Sequence, residues 1–114
     1  MNTIPLDLAL ENQVNIGATY RLQIQLCNAP DLTLYTGLCQ VRQSVGSPEV
    51  ILTPRINILS KDIFEIYIPH TDFSLTTLPG SYLYDVAFNK LDNTDRFYAV
   101  AGKIQLVRRV TEIV

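Results

Sequence analysis

Leu78-Pro79-Gly80-Ser81-Tyr82-Leu83-Tyr84-Asp85-Val86-Ala87-Phe88 decides how this chain is read. A Pro-Gly turn feeds directly into Tyr82, Tyr84, Val86 and Phe88, large residues at every second position. Successive side chains of a strand point to opposite faces, so this spacing gives a strand one bulky face for a core. The stretch is a tight corner leading into a central strand, with Asp85 on the outward side.

The flanking sequence repeats the pattern. Just upstream, His70–Thr77 reads as a single helical turn, with Thr71 or Asp72 able to cap it and Phe73, Leu75 and Leu78 closing the end of the core. Before it, Phe64, Ile66 and Ile68 share one strand face, while Ile63 and Tyr67 lie on the other. That second face carries little polarity, which suits cover by a neighbouring molecule. Val50–Leu59 is β-branched and apolar, and Pro54, which cannot donate to a ladder, marks it as an edge strand or a bulge. Downstream, residues 89–95 form a polar hairpin loop. The last strand then carries Tyr98 and Val100 before Gly102, and Ile104 and Leu106 after it, with a bulge or a close backbone approach expected at Gly102.

Nearer the N-terminus the alternation is cleanest. Tyr20, Leu22, Ile24 and Leu26 are apolar, while Arg21, Gln23 and Gln25 between them point to water. A helix would scatter those apolar residues around its circumference. Asp31–Gly37 crosses between sheets, with Leu32 and Tyr35 plugging the end of the core, and Cys39 and Val41 face inward on the next strand. Ser44-Val45-Gly46-Ser47-Pro48 is a flexible hairpin tip. Residues 1–15 form an N-terminal arm containing a short first strand, and residues 107–114 a C-terminal arm.

Composition bounds the rest. At 114 residues, 47% hydrophobic and 18% charged, the chain fits one globular domain over 1–114. The net charge is -2, and no basic cluster exceeds Arg108-Arg109, which argues against phosphate-driven nucleic-acid binding. The first residues lack a secretory pattern, and no apolar run approaches the ~20 residues of a membrane span. The expectation is a molecule made and assembled in cytoplasm, with no membrane partner. Cys27 and Cys39 fit no zinc or redox spacing and face different ways, so both should be free thiols.

Candidate chemistry is sparse. His70 is the sole histidine and falls between Pro69 and a turn, a poor setting for a nucleophile-base pair. Asp92, Asn93 and Asp95 share a loop that lacks the spacing, glycine and closing glutamate of an EF-hand, so turn chemistry is the expected role. Asp85 is expected to pair across its sheet with Arg42 or Arg96. The residues point to no catalytic group, no metal and no cofactor.

The Leu-x-Gly-x-Tyr-x-Tyr run resembles the corner before strand F of an immunoglobulin-type sandwich, in which a tyrosine bonds back to upstream backbone. Tyr82 would be the corner tyrosine, Gly80 its turn, and Tyr84 would stand where antibody domains place their second cysteine. Residues 16–110 also resemble small tailed-phage virion proteins of immunoglobulin-like fold. The matching runs are Gly17-Ala18-Thr19-Tyr20, Asp31–Thr36, Gln40-Val41-Arg42, Leu78–Asp85 and Gly102–Leu106. The longer Asp92-Asn93-Thr94-Asp95 loop departs from the usual Asp-Gly turn. The resemblance implies an all-β, antiparallel immunoglobulin-like β-sandwich of about seven strands with one helical turn. It also implies a non-enzymatic virion protein of the baseplate, tail-fibre attachment or capsid-decoration type, homo-oligomeric in the particle and bound to other virion structural proteins. An extracellular receptor- or carbohydrate-binding module is the reading from another class; it calls for exposed loop aromatics, and the chain has no Trp. The surfaces expected to make contacts are Leu6, Leu8 and Leu10 in the first arm, Ile63 and Tyr67 on their strand, and Val110 and Ile113 in the last arm. Trimming residues 1–5 and 111–114 is expected to leave the domain folded and to weaken assembly.

Overall fold

In the computed structural model, residues 4–5, 13–74 and 77–109 are described. The strands are β1 (Ile4–Pro5), β2 (Gln13–Asn15), β3 (Tyr20–Gln25), β4 (Tyr35–Arg42), β5 (Arg55–Ile58), β6 (Ile63–Ile68), β7 (Gly80–Lys90) and β8 (Arg96–Val107). One sheet runs β1-β8-β7-β4, with β2 also on β8; the other runs β3-β6-β5. β3 and β6 pair in one sheet and β4 and β7 in the other, so the chain crosses between layers as an immunoglobulin-like sandwich does. β1 and β2 both follow β8 in parallel, so the eight segments occupy seven strand positions.

β7 is central, as its sequence predicts, and its Tyr82, Tyr84, Val86 and Phe88 are all buried. Phe64, Ile66 and Ile68 of β6 meet them from the opposite sheet. Phe64 and Phe88 pack edge to face with ring centroids 5.1 Å apart, and Phe97 and Tyr35 extend the aromatic chain at 5.5 and 5.3 Å. At Gly37 the sheets pack tightly: a Cβ there would lie 2.7 Å from Ile56 Cβ and 3.1 Å from the Phe88 ring. Only glycine fits between those two side chains.

The corner forms as expected. Gly80 takes φ +150°, a conformation L side chains rarely adopt. Two residues on, the Tyr82 hydroxyl donates to the Leu78 carbonyl at 2.8 Å. Leu32 and Tyr35 close the far end of the core, fully and nearly fully buried.

Three expectations need correction. The irregularity in β8 falls between the Val86–Val100 and Ala87–Tyr98 pairs, so Ala99 is the inserted residue and Gly102 pairs regularly with Tyr84. The insertion reverses the alternation ahead of it, turning Phe97 toward the core and Tyr98 to solvent at 57% exposure. Among the described residues there are two single 3-10 turns rather than one helical turn, at Leu32–Leu34 and His70–Asp72, and Pro69, not Thr71 or Asp72, precedes the second without a side-chain cap. Phe73 is buried, but Leu78 is 66% exposed, because the Tyr82 hydroxyl holds Leu78 by its carbonyl while the side chain turns outward; Leu75 lies outside the described residues. The short first strand expected within residues 1–15 is formed: Ile4–Pro5 and Gln13–Asn15 both pair with β8, and Val14 is fully buried. Removing residues 1–5 would delete the pairing of β1 with β8.

Tyr82→Phe removes one hydroxyl and leaves the Leu78 carbonyl short of its donor. The expected loss is about 1–3 kcal/mol, read as a lower urea midpoint at unchanged m value, with the far-ultraviolet circular dichroism preserved. An unchanged midpoint would show that the corner bond adds nothing.

Candidate functional site

The two sheets present outer faces of opposite character. On the β3-β6-β5 face, Arg21, Glu65, Tyr67, Asn57 and Arg55 come from three strands and bond to one another. The Arg21 guanidinium lies 4.1 Å from the Tyr67 ring centroid, and that of Arg55 lies 6.0 Å away. Arg21 also pairs with Glu65 at 2.9 Å, and Asn57 donates to the same Glu65 oxygen at 3.1 Å. The apolar surface expected at Ile63 and Tyr67 is thus covered, over Tyr67, by the chain's own arginines, and Ile63 is half-buried at the strand start.

The β4-β7-β8 face is different. Its pairings set outward side chains in rows: Leu38, Ala87 and Tyr98; then Gln40, Asp85 and Ala101; then Arg42, Leu83 and Lys103. Leu38 and Tyr98 are 54% and 57% exposed, and Val45, at the tip that follows β4, is 91% exposed. The tip and the last two rows enclose a shallow groove of about 530 Å³, with Tyr98 at one end and Arg42 and Lys103 at the other. Arg42 donates to the Ser47 carbonyl, which holds the tip against β4, and to the Gln40 amide oxygen at 3.0 Å. Arg96 donates to Asn89. Asp85 therefore pairs with neither arginine, contrary to the sequence expectation, because Arg42 is drawn toward the tip and Arg96 toward its own hairpin.

The remaining polar groups serve turns. Asp31 accepts from the Thr33 hydroxyl and amide, and Asp92 does the same with Thr94. Asp95 accepts from the Tyr35 hydroxyl at 2.7 Å, a bond that pushes the phenol's pKa above its ordinary value. The carboxylates of the 92–95 loop are thus committed to turn geometry and to Tyr35. Among the described residues no cluster of three or more His, Cys, Asp or Glu could hold a metal ion. His70 is exposed, with Nδ1 3.3 Å from the Thr19 hydroxyl. Cys27 and Cys39 are both free, the first exposed and the second buried. Burial, followed by the charge of Asp85, pushes the Cys39 thiol up to about 12.

Of the residues singled out in the sequence, Gly80, Tyr82 and Tyr84 come together at the corner and in the core. Ile63 and Tyr67 lie on the polar face just described. Leu6, Leu8, Leu10, Val110 and Ile113 lie outside the described residues. Leu38, Val45 and Tyr98 were missed. Leu38 was readable, since it alternates with inward Cys39; Tyr98 was not, because the inserted Ala99 has no marker in the sequence.

No protein-family model and no curated protein sequence matches the chain. A solved structure similar to it is that of a proposed glycoside hydrolase from Bacteroides vulgatus ATCC 8482, at 11% identity and a TM-score of 0.48. The match covers 86% of this chain and 16% of that one. It transfers no activity.

Two measurements check this description. Native protein should react with a thiol reagent at one site, Cys27, and expose the second, Cys39, only on unfolding; two fast thiols in the native state would contradict the burial of Cys39. Thr33 holds the Asp31 carboxyl below its usual range, Gln25 and then Ser60 do so for Asp62, and Thr94 for Asp92. Each titrates lower folded than unfolded, so the stability it lends is complete above about pH 4 and is lost as the pH falls through the folded values. The melting temperature should decline below about pH 4, and a triple Asp→Asn variant at 31, 62 and 92 should decline less steeply.

Proposed function

We propose that this chain is a non-enzymatic structural protein of a tailed-phage particle, an adaptor or attachment module of the tail or baseplate that works through protein–protein contacts. The observation that carries the reading is how the side chains are used. Among the described residues, the aspartates at 31, 62, 92 and 95 and Glu65 bond to neighbouring side chains. Exposed Leu38, Val45 and Tyr98 instead gather on and beside one sheet face. Such an arrangement offers contact area rather than a reacting group. The ordered runs from Gly17 to Leu106 support the phage setting, and the corner and sandwich that they imply are the ones formed.

On this reading the chain resides in the virion, which is assembled in the host cytoplasm, and its role requires neither a cofactor nor nucleic acid. The test is to raise antibodies against the full chain and label purified particles of the source phage for electron microscopy. Label at the tail or baseplate is the expected result. Label over the capsid shell would replace the adaptor reading with capsid cement or decoration, and absence from particles that otherwise assemble would overturn a virion role.

A further inference from the structure

The charges and exposed apolar groups on the β4-β7-β8 face form a self-complementary pattern. Strands stand about 4.8 Å apart and successive outward residues roughly 7 Å apart along each strand, so the three rows make a small lattice. Asp85 sits in the middle column, one row from Leu83, which Arg42 and Lys103 flank. No ion pair among the described residues uses Asp85, Arg42 or Lys103. Arg42 bonds only to neutral oxygens, so its charge is not neutralised.

We propose that this face binds the same face of a second copy of the chain, about a two-fold axis that crosses the strands between the Asp85 row and the Leu83 row. That axis sets Asp85 of each copy over Leu83 of the other, with Arg42 and Lys103 one column to either side. It also carries the 43–47 tip, which extends the β4 column beyond Arg42, toward Leu38 at the opposite end of the same column. Val45 of one copy then meets Leu38 of the other, covering two exposed apolar side chains. A two-fold axis along β7 instead stacks Asp85 on Asp85 and Arg42 on Lys103, so the charges select between the two arrangements. Three strands of this length outline about 400 Å², below the ~800 Å² per partner of a standard stable complex. The dimer is therefore weak, with a dissociation constant on the order of 0.1–1 mM, suited to copies held close by other contacts. The proposal deepens the adaptor reading and rests on it.

Sedimentation equilibrium of the full chain, at concentrations bracketing about 0.1–1 mM, reads the association directly. The expected result is a concentration-dependent dimer that weakens at about 1 M salt, where screening shortens to about 3 Å. Asp85→Lys alone, and Arg42→Asp with Lys103→Asp, should each be monomeric over that range. An equimolar mixture of the two variants should form a heterodimer, because each supplies the sign that the other has lost. Val45→Asp, at an exposed turn, should weaken the wild-type dimer about ten-fold and decides the matter if a charge variant does not fold. A wild-type chain that stays monomeric, an Asp85→Lys variant that dimerises normally, or a mixture of folded variants that stays monomeric would each overturn the proposal. A monomer found in the tail of purified particles would overturn this face and leave the adaptor reading standing.

Discussion

The bond from the Tyr82 hydroxyl to the Leu78 carbonyl fixes where β7 begins, and β7 pairs with strands on both sides. Its 2.8 Å length is ordinary and its net contribution small, about 1 kcal/mol; its position gives it weight. It holds the incoming loop by a carbonyl while the ring of the same residue is buried in the core. Arg108, beyond the end of β8, donates to the neighbouring Thr77 carbonyl at 2.7 Å. Two adjacent carbonyls that would otherwise face the sandwich end are thus held by side chains from β7 and from the chain after β8. A one-residue slip at this corner would turn Tyr82, Tyr84, Val86 and Phe88 outward together.

The opposite end of the sandwich is closed by local chemistry used twice. Asp31 and Asp92 each fold the chain back by accepting from a threonine two residues on. The two turns then meet, since the Leu91 amide donates to the Leu34 carbonyl at 3.0 Å and Tyr35 reaches Asp95. The crossing between sheets and the β7-β8 hairpin are thereby tied together, and Tyr35 carries that tie down to the Phe97 and Phe88 rings.

The period-two runs make the layers legible in the sequence itself. Tyr20–Leu26, Phe64–Ile68 and Tyr82–Phe88 each bury the face that their alternation assigns, because a residue's side of a strand is a local property. What the sequence hid depends on partners distant along the chain. The extra residue at Ala99 exists only relative to β7, so nothing near it announced that Tyr98 would face water. Tyr67 looked uncovered because the arginines over it lie on β3 and β5, some 46 and 12 positions away. Asp85 has cations on both neighbouring strands, β4 and β8, and whether it meets any of them depends on side-chain reach, which spacing does not encode.

The parallel pairing of β2 with β8 has a mechanical consequence. Gln13, Val14 and Asn15 align with Gln105, Leu106 and Val107, and the Ile16 amide donates to Val107. Tension applied to the chain ahead of β2 and beyond β8 pulls these two strands along their length in opposite senses. The bonds between them are then loaded together in shear rather than opened one after another, as peeling would do. A domain tethered through both ends would meet such a pull with several hydrogen bonds and the buried Val14 and Leu106 side chains acting at once, and would yield abruptly rather than by gradual fraying.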